Sequence, residues 1–195
     1  MNPPSYVVLD DIIPKSYQDW ILGAATSEQL RWILRDNAVD TQCFHNDPRN
    51  TFSAFHHLYE TDHTPPEVSK VYNAFIPLAL AALDAVNCTK LLRMRINYTP
   101  PYPTSMMMMP HVDGYTPNSC NMVYYINDTD GDTVLFNETA TSREEYLRMV
   151  ARDKWSEMAR VSPKQGRAVA FKGDIFHCPS RPTTKKRLVI NMNLV

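Results

Sequence analysis

His111-Val112-Asp113 is the stretch around which the predicted fold is arranged, and His177-Cys178-Pro179-Ser180-Arg181 is its distant counterpart. A histidine and an aspartate two positions apart in an extended segment place their side chains on the same face. One short segment can therefore offer two metal ligands, and a distant strand can supply a third. Two imidazoles and one carboxylate on one side of an octahedral ion leave the other positions open, an arrangement typical of mononuclear non-haem iron.

Composition indicates an ordinary folded chain about one domain long. The sequence has 195 residues, of which 44% are hydrophobic and 21% are charged, and its formal net charge is -1. This balance gives no overall attraction to nucleic acid or membrane. With five glycines the chain has no G-x-G-x-x-G or Walker A loop, which argues against a classical dinucleotide or P-loop site. Without a signal-peptide pattern or a C-x-x-C pair we expect a cytoplasmic protein with free thiols and no membrane segment, and the oligomeric state stays open.

The first ninety residues predict an opening strand, a second short strand and a layer of supporting helices. Apolar residues recur at helical spacing in two segments, and short runs between turn residues predict strands. The predicted elements are a strand over 6–13, one or two helices over 16–35, a short strand near 52–59, and a helix that starts after Pro65-Pro66, is kinked by Pro77 and runs to about Val86. These helices are expected to pack on a sheet.

Residues 91–195 predict the sheet itself. The predicted strands cover 91–98, 121–126, 133–136, 168–171 and 187–194, and 142–160 reads as a helical insertion between strands. Helices followed by short strands with frequent turns indicate an all-β core with flanking helices, a β-sandwich or jelly-roll. We expect one domain over 1–195, in which 1–90 supports the core formed by 91–195.

A single H-x-D triplet is weak evidence for a metal site, and this chain contains two. His45-Asn46-Asp47 lies in a polar segment with no strand pattern, so we interpret it as a solvated turn. His111-Val112-Asp113 precedes two predicted strands and a distant histidine, and this context favours a metal site. The alternative for His111 is a histidine that hydrogen-bonds at the end of a strand.

The last predicted strand carries a cation on one of its faces. Arg187, Val189, Asn191 and Asn193 share one face, while Leu188, Ile190, Met192 and Leu194 share the other. An arginine on a buried face needs an anion, which a small dicarboxylate could supply through a bidentate contact. The alternative is an exposed basic strand end. Arg181 is the competing arginine, but it lies in a turn.

These residues together resemble the Fe(II)/2-oxoglutarate-dependent dioxygenases, in particular the prolyl 4-hydroxylase-like branch and its small phage-encoded members. The resemblance covers roughly residues 91–195. The matching motifs are Asn97-Tyr98, His111-Val112-Asp113, Gly131-Asp132-Thr133-Val134-Leu135, His177 and Arg187, with Tyr125 in a Val-Tyr-Tyr-Ile strand. The resemblance implies a double-stranded β-helix of the jelly-roll or cupin type, with amino-terminal supporting helices.

The resemblance also implies roles for individual residues. His111, Asp113 and His177 would bind Fe(II), and together with Arg187 they would form the catalytic set. Arg187, Tyr98, Thr133, Tyr125 and, on the same strand face, Asn191 would bind 2-oxoglutarate. The implied reaction is hydroxylation of a C–H bond of a protein, prolyl residues included, or of a small molecule, with O2 as oxidant, ascorbate as support, and succinate and CO2 as products.

Two departures from the family pattern bear on the substrate. Collagen-type prolyl hydroxylases typically have lysine where Arg187 stands, and residues 99–105 and Met106–Met109 replace a glycine-containing segment. The methionine run predicts either a pliable lip for an apolar substrate or a strand packed in the core. Two other functions stay open. One is a nucleic-acid dealkylase of the same superfamily, for which Arg181 and Lys185-Lys186-Arg187 give little support. The other is a non-catalytic jelly-roll binding module.

Overall fold

The computed structural model describes residues 5–36, 49, 51–62, 64–151 and 154–195. The triplet at 45–47 and most of the polar segment around it lie outside the described residues. The elements in chain order are β1 (Tyr6–Asp10), α1 (Lys15–Ala25), β2 (Ile33–Arg35), β3 (Ser53–Glu60), β4 (Glu67–Val68), a 3-10 helix (Tyr72–Phe75), α2 (Ile76–Val86), β5 (Leu91–Thr99), β6 (Cys120–Tyr125), β7 (Thr133–Thr139), α3 (Arg143–Val150), β8 (Glu157–Val161), β9 (Arg167–Lys172), β10 (Ile175–Pro179) and β11 (Arg187–Leu194).

The strands form two antiparallel sheets. The large sheet has the order β1-β9-β6-β11-β5-β3-β2, with β4 paired to β3, and the small sheet has the order β10-β7-β8. An isolated bridge between His111 and His177 joins the segment after β5 to strand β10. The predicted class, a jelly-roll-like β core with flanking helices, is therefore confirmed.

Apolar side chains separate into three layers that match this architecture. The largest cluster lies between the helices and the large sheet, where Ile21 of α1 and Leu78 of α2 meet Ile96 and Ile190. A second cluster joins the two sheets. A third lies between the small sheet and α3. The strand β11 alternates between the first two layers, as its sequence predicts: Leu188, Ile190, Met192 and Leu194 belong to the helix side and Val189 to the space between the sheets.

The helical layer is shorter than the sequence predicts. Helix α1 ends at Ala25, and Ile33–Arg35 form strand β2 against β3 instead of a second helix. The β-branched Ile33 and its pairing with Phe55 outweigh the weak helical pattern of this segment. Tertiary contacts of this kind commonly override local propensity.

The second predicted helix also begins later than expected. Residues 67–68 pair with β3 as β4, a 3-10 turn follows, and α2 starts at Ile76. Pro77 therefore lies in the first turn of α2 and does not kink a longer helix. A proline fits there because the first turn has no intrahelical partner for its missing N–H.

The predicted insertion over 142–160 is helical only in its first part. Ser142 accepts a hydrogen bond from the backbone N–H of Glu145 and begins α3, which ends at Val150. Glu157–Val161 instead form β8, the edge strand of the small sheet. The methionine run divides in a similar way, since Met108 and Met109 are buried while Met106 and Met107 are more than a third exposed.

Candidate metal and cosubstrate site

The segments 111–113 and 177–181 meet through backbone pairing. The N–H of His111 donates to the carbonyl of His177 at 2.9 Å, and the N–H of His177 returns the bond to His111 at 2.9 Å. Each histidine is thus fixed in register with the other, although one lies in a loop after β5 and the other in β10. Their rings are 4.5 Å apart, centroid to centroid.

His111, Asp113 and His177 form the metal-ligand cluster. One potential ligand atom from each side chain lies within 4.8 Å of the other two. His111 Nε2 is 3.7 Å from Asp113 Oδ1, and His177 Nε2 is 3.8 Å from Asp113 Oδ2. Among the described residues no other group of three metal-binding side chains comes together. Two imidazoles and a carboxylate are the donor set that suits Fe(II) with positions left for other ligands.

Backbone carbonyls orient both imidazoles for metal binding. Nδ1 of His111 lies 3.1 Å from the carbonyl oxygen of Met109, and Nδ1 of His177 lies 3.3 Å from that of Ile175. A carbonyl only accepts, so each Nδ1 carries the proton and each Nε2 presents a lone pair. Burial lowers the pKa of His177 to about 4, and the charge of His111 adds to this effect. His177 is therefore neutral near neutral pH, the form in which an imidazole can bind a metal.

The carboxylate of Asp113 is held ionised by the groups around it. Burial by itself would raise its pKa, but Arg93 and the two histidines outweigh burial and hold the pKa of Asp113 well below its usual range. Arg93 Nη2 is 3.3 Å from Asp113 Oδ1. Asn193 Nδ2 donates to Asp113 Oδ2 at 3.4 Å and to Asn121 Oδ1 at 2.5 Å. Asp113 is thus both charged and oriented.

Arg187 is buried in the wall of a cavity that the metal-ligand cluster also lines. It is 5% exposed, and no carboxylate of the described residues lies within salt-bridge distance of its guanidinium. Its Nε donates to the carbonyl of Gly131 at 2.8 Å and its Nη2 to Thr133 Oγ1 at 2.9 Å. The hydroxyl of Tyr125 is 2.7 Å from Thr133 Oγ1. A fixed, buried cation without an acidic partner is a site for an anion.

Polar turns hold the strand that carries Arg187. Asn127 accepts a hydrogen bond from the N–H of Leu188 at 2.9 Å and donates to the carbonyl of Lys186 at 2.9 Å. Asp130 accepts the backbone N–H groups of Thr183 and Thr184. Gly131 lies so close to Arg187 that an added Cβ would be 2.9 Å from its Cδ. Glycine at this position therefore leaves room for the guanidinium.

The metal-ligand cluster and Arg187 open into one cavity of about 530 Å³. Thr133 and Asn191 line it, and the Oδ1 atom of Asn191 is buried without a hydrogen-bond partner among the described residues. Tyr125 lies just behind Thr133, in the layer between the sheets. The cavity thus contains most of the residues that the sequence assigned to cosubstrate binding.

Tyr98 is the exception among the predicted cosubstrate residues. It borders the cavity, but it follows Met94 and Ile96 onto the helix side of β5, where its ring lies 5.8 Å from that of Trp32. Side chains alternate along a strand, so Tyr98 and the neighbouring Asn97 point to opposite faces. The role of Tyr98 in cosubstrate binding therefore stays a prediction.

Sequence reasoning missed the polar partners on β5. Arg93 and Arg95 line the cavity, and Arg93 contacts the predicted metal ligand Asp113. The available signal was the alternation of Arg93, Arg95 and Asn97 along a strand whose other face is apolar. That signal predicts a polar face but not which strand lies beside it.

Comparison with solved structures identifies the fold. A 2OG-Fe(II) oxygenase family oxidoreductase from Burkholderia pseudomallei matches with a TM-score of 0.65 and 12% identity, over 97% of this chain and 84% of that one. A prolyl hydroxylase from Trichoplax adhaerens, in complex with a hypoxia-inducible-factor peptide fragment, matches with a TM-score of 0.60 and 11% identity, over 99% of this chain and 84% of that one. HygX from Streptomyces hygroscopicus, with nickel and 2-oxoglutarate bound, matches with a TM-score of 0.57 and 12% identity, over 97% of this chain and 82% of that one.

The fold is that of the 2-oxoglutarate/Fe(II) oxygenases. At these identities the likeness establishes the architecture, including that of the prolyl hydroxylases. No protein-family model matches the sequence, and comparison with curated proteins found no significant match. Among the described residues no helix is long and apolar enough to cross a membrane. The predicted phage origin stays a prediction.

Proposed function

We propose that this protein is an Fe(II)- and 2-oxoglutarate-dependent oxygenase that hydroxylates a C–H bond of a protein or small-molecule substrate. One observation carries the proposal: the metal-ligand cluster and the buried Arg187 open into the same cavity. Among the described residues no carboxylate lies within salt-bridge distance of this arginine. A metal site alone would fit many enzymes, and a buried arginine alone would fit many anion-binding proteins. Their combination fits a metal-chelating dicarboxylate whose far end needs a cation.

The residues of this chain would divide the binding between them. His111, Asp113 and His177 would hold the metal, and Arg187 with Thr133 would bind the far carboxylate of 2-oxoglutarate, with Tyr125 fixing the Thr133 hydroxyl. Asn191, whose amide lines the cavity between these two regions, would contact the cosubstrate from the side. When bound, the metal and 2-oxoglutarate supply the oxidation, with O2 as oxidant and succinate and CO2 as products, supported by ascorbate.

The protein's own contribution would be positioning and exclusion. The Phe171 ring, which belongs to the apolar layer between the sheets, packs 4.7 Å from that of His177. Met108 and Met109 close the cavity wall beside the metal-ligand cluster. Such walls hold the reacting groups in place and keep water from them. The intact carboxylate at Asp113 supports hydroxylation, because family halogenases lack it.

Solved structures of this fold contain two kinds of bound molecule, and we propose the same two classes of substrate for this protein. The Trichoplax enzyme is bound to a peptide fragment, and a second HygX structure contains hygromycin B. Both a peptide and a small molecule therefore suit this fold. We keep both classes within the proposed function, with a single-domain, cytoplasmic protein as the expected setting.

The test is formation of succinate from 2-oxoglutarate with Fe(II) and ascorbate. The wild type is expected to turn over slowly even without its substrate, and His111→Ala is expected to lose this activity. Arg187→Met is expected to raise the Kd of 2-oxoglutarate at least ten-fold in the Ni(II)-bound protein, and Arg187→Lys to restore part of it. The exposed Arg148→Gln on α3 is the matched control. Equal turnover by the wild type and His111→Ala would leave a non-catalytic binding module as the better interpretation.

A further inference from the structure

The cavity wall beyond the metal-ligand cluster is strongly cationic. Five arginines line the cavity: Arg35, Arg93, Arg95, Arg143 and Arg187. Among the described residues that line it, Asp113 is the one carboxylate. The formal net charge of the chain is -1, so this concentration of cations is local. A cleft lined by one sign of charge concentrates ligands of the opposite sign.

Strand register explains why these cations converge. In the large sheet Arg95 pairs with His57 of β3 and with Asn191 of β11, and Arg93 pairs with Asn193. Directly paired residues point to the same face of a sheet. The arginines of β5 therefore share the face of Asn191, which lines the cavity, while Met94 and Ile96 face the helices. Arg35 reaches the same cavity from β2 at the sheet edge.

We call Arg35, Arg93 and Arg95 the arginine cluster, and an aromatic ring and a carboxylate fix two of its members, Arg35 and Arg95. The guanidinium carbons of Arg35 and Arg95 lie 4.5 Å and 5.3 Å from the centre of the Phe55 ring. Arg95 Nη2 is 2.9 Å from Glu60 Oε2. Cation–π contacts of this kind hold a guanidinium plane in one orientation. The Nε atoms of Arg93 and Arg95 are buried without hydrogen-bond partners among the described residues.

The charges in this region do not balance within the described residues. Glu60 neutralises Arg95, and Asp113, the partner of Arg93, is also a proposed metal ligand. Arg187 would be matched by the far carboxylate of the cosubstrate under the proposed function. Positive charge therefore remains at Arg35 and Arg93. At the neighbouring His57 burial is the main cause that lowers the pKa to about 4, and the charges of Arg95, Arg93 and Arg35 lower the pKa further against the opposing charge of Glu67.

We propose that the arginine cluster binds an anionic group of the substrate, so that the substrate is a small molecule bearing a carboxylate or a phosphate. This proposal rests on the proposed function and specifies its substrate class. Guanidinium groups bind either anion through paired N–H···O bonds. A cavity of about 530 Å³ falls in the range of small-molecule sites. The anion would lie at the arginine cluster, with the rest of the molecule extending toward the metal-ligand cluster.

The test is isothermal titration calorimetry on the protein loaded with Ni(II) and 2-oxoglutarate, at low ionic strength. The probes are inorganic phosphate, acetate and, as the neutral counterpart, acetamide. Phosphate or acetate is expected to bind and acetamide is not, and whichever anion binds more tightly indicates the natural group. Arg35→Gln is expected to weaken anion binding at least ten-fold, because its charge has no carboxylate partner among the described residues, and Arg95→Gln at least five-fold, because its guanidinium is already paired with Glu60. Arg148→Gln, which removes an exposed cation outside the cavity, is expected to bind as the wild type does.

Two controls keep the result interpretable. Because Arg95→Gln leaves the buried Glu60 without its partner, the double variant Glu60→Gln/Arg95→Gln removes the cation without leaving a buried charge. Two results would overturn the proposal while 2-oxoglutarate still binds. In the first, phosphate and acetate at a 50-fold molar excess over the protein release no more heat than acetamide does. In the second, the anions bind equally to the wild type and to both arginine variants. Failure of 2-oxoglutarate itself to bind would instead overturn the proposed function, and with it the substrate class that rests on it.

Discussion

Asp113 shows how single residues prepare this site. Two imidazoles, the guanidinium of Arg93 and the amide of Asn193 surround one carboxylate, which therefore stays ionised despite its burial. The sequence predicted the ligand but not its partners. Partners that orient a ligand are expected to matter for metal affinity although they do not touch the metal.

Asn193→Ala tests the role of an orienting partner. The variant removes the hydrogen bond to Asp113 Oδ2 and leaves all three ligands in place. We expect the Kd of Ni(II) or Fe(II) to rise about ten-fold, the lower part of the range for such partners. Titration of metal-free protein, read by calorimetry, measures it. The exposed Asn73→Ala is the control, and an unchanged metal affinity in Asn193→Ala would contradict the orienting role.

His57 gives a residue-scale prediction about pH. Burial and nearby arginines lower its pKa in the folded protein to about 4, against about 6.5 when unfolded. Between these pH values the unfolded chain binds a proton that the folded protein does not. The free energy of unfolding therefore falls as the pH drops from 6.5 to 4, and this loss is absent above pH 6.5. We expect His57→Gln to reduce this loss by about 2 kcal/mol in metal-free protein.

Urea unfolding at pH 7.5 and pH 4.5 measures this difference. His177 contributes a similar loss in the same window, because burial also lowers its pKa to about 4. The variant is therefore expected to keep part of the pH dependence. Identical pH dependence in wild type and His57→Gln would show that His57 is not desolvated as the structure indicates.

Among the elements, the turn before β7 has the most direct effect on the site. Gly131 accepts a hydrogen bond from Arg187 Nε through its carbonyl, and its missing Cβ leaves space for the Arg187 side chain. An added Cβ would also be 3.0 Å from the carbonyl oxygen of Ser180, which is backbone and cannot easily move. The turn thus determines where the cation lies.

Gly131→Ala is expected to displace Arg187 and to leave the metal-ligand cluster intact. The Kd of 2-oxoglutarate in the Ni(II)-bound protein should rise ten-fold or more, while the Kd of Ni(II) changes less than two-fold. Calorimetry measures both constants on one preparation. Gly23→Ala, where an added Cβ meets nothing within 4 Å, is the matched control. Equal loss of metal and cosubstrate binding would indicate general misfolding instead.

The elements also show where sequence patterns fail. The strand over 187–194 was predicted with its correct bounds and faces, because one of its faces is wholly apolar and the other is polar except at Val189, a pattern that favours one register. The helix predicted over 16–35 was wrong beyond Ala25, because a few apolar residues at mixed spacing suit either a helix or an edge strand. Pairing with β3, which is distant in sequence, decided between them.

At the scale of the whole molecule, the metal-ligand cluster joins parts that are far apart in the chain. His177 belongs to the small sheet, and Asp113 is held by Asn193 of the large sheet. A metal bound here connects the two sheets. Binding to the folded state alone stabilises it, by about 2.7 kcal/mol at a metal concentration one hundred times the Kd.

Addition of Ni(II) is therefore expected to raise the free energy of unfolding of the whole protein. Urea unfolding with and without the metal measures this increase, which should reach about 2–3 kcal/mol at that concentration. His111→Ala is expected to abolish it, and His56→Ala, which lies outside the cluster, to retain it. An equal increase in His111→Ala would mean that the metal binds elsewhere.

The sequence by itself predicted the members of the metal-ligand cluster, the importance of Arg187 and the class of the β core, from local spacing, alternation along one strand and a family resemblance. The tertiary structure decided that Tyr98 faces the helices, that Arg93 contacts Asp113, and that Arg35 and Arg95 share the Phe55 ring. These facts depend on which strands are neighbours and in what register. Pairing is set by the burial of whole faces against each other, a property that no single stretch of sequence contains.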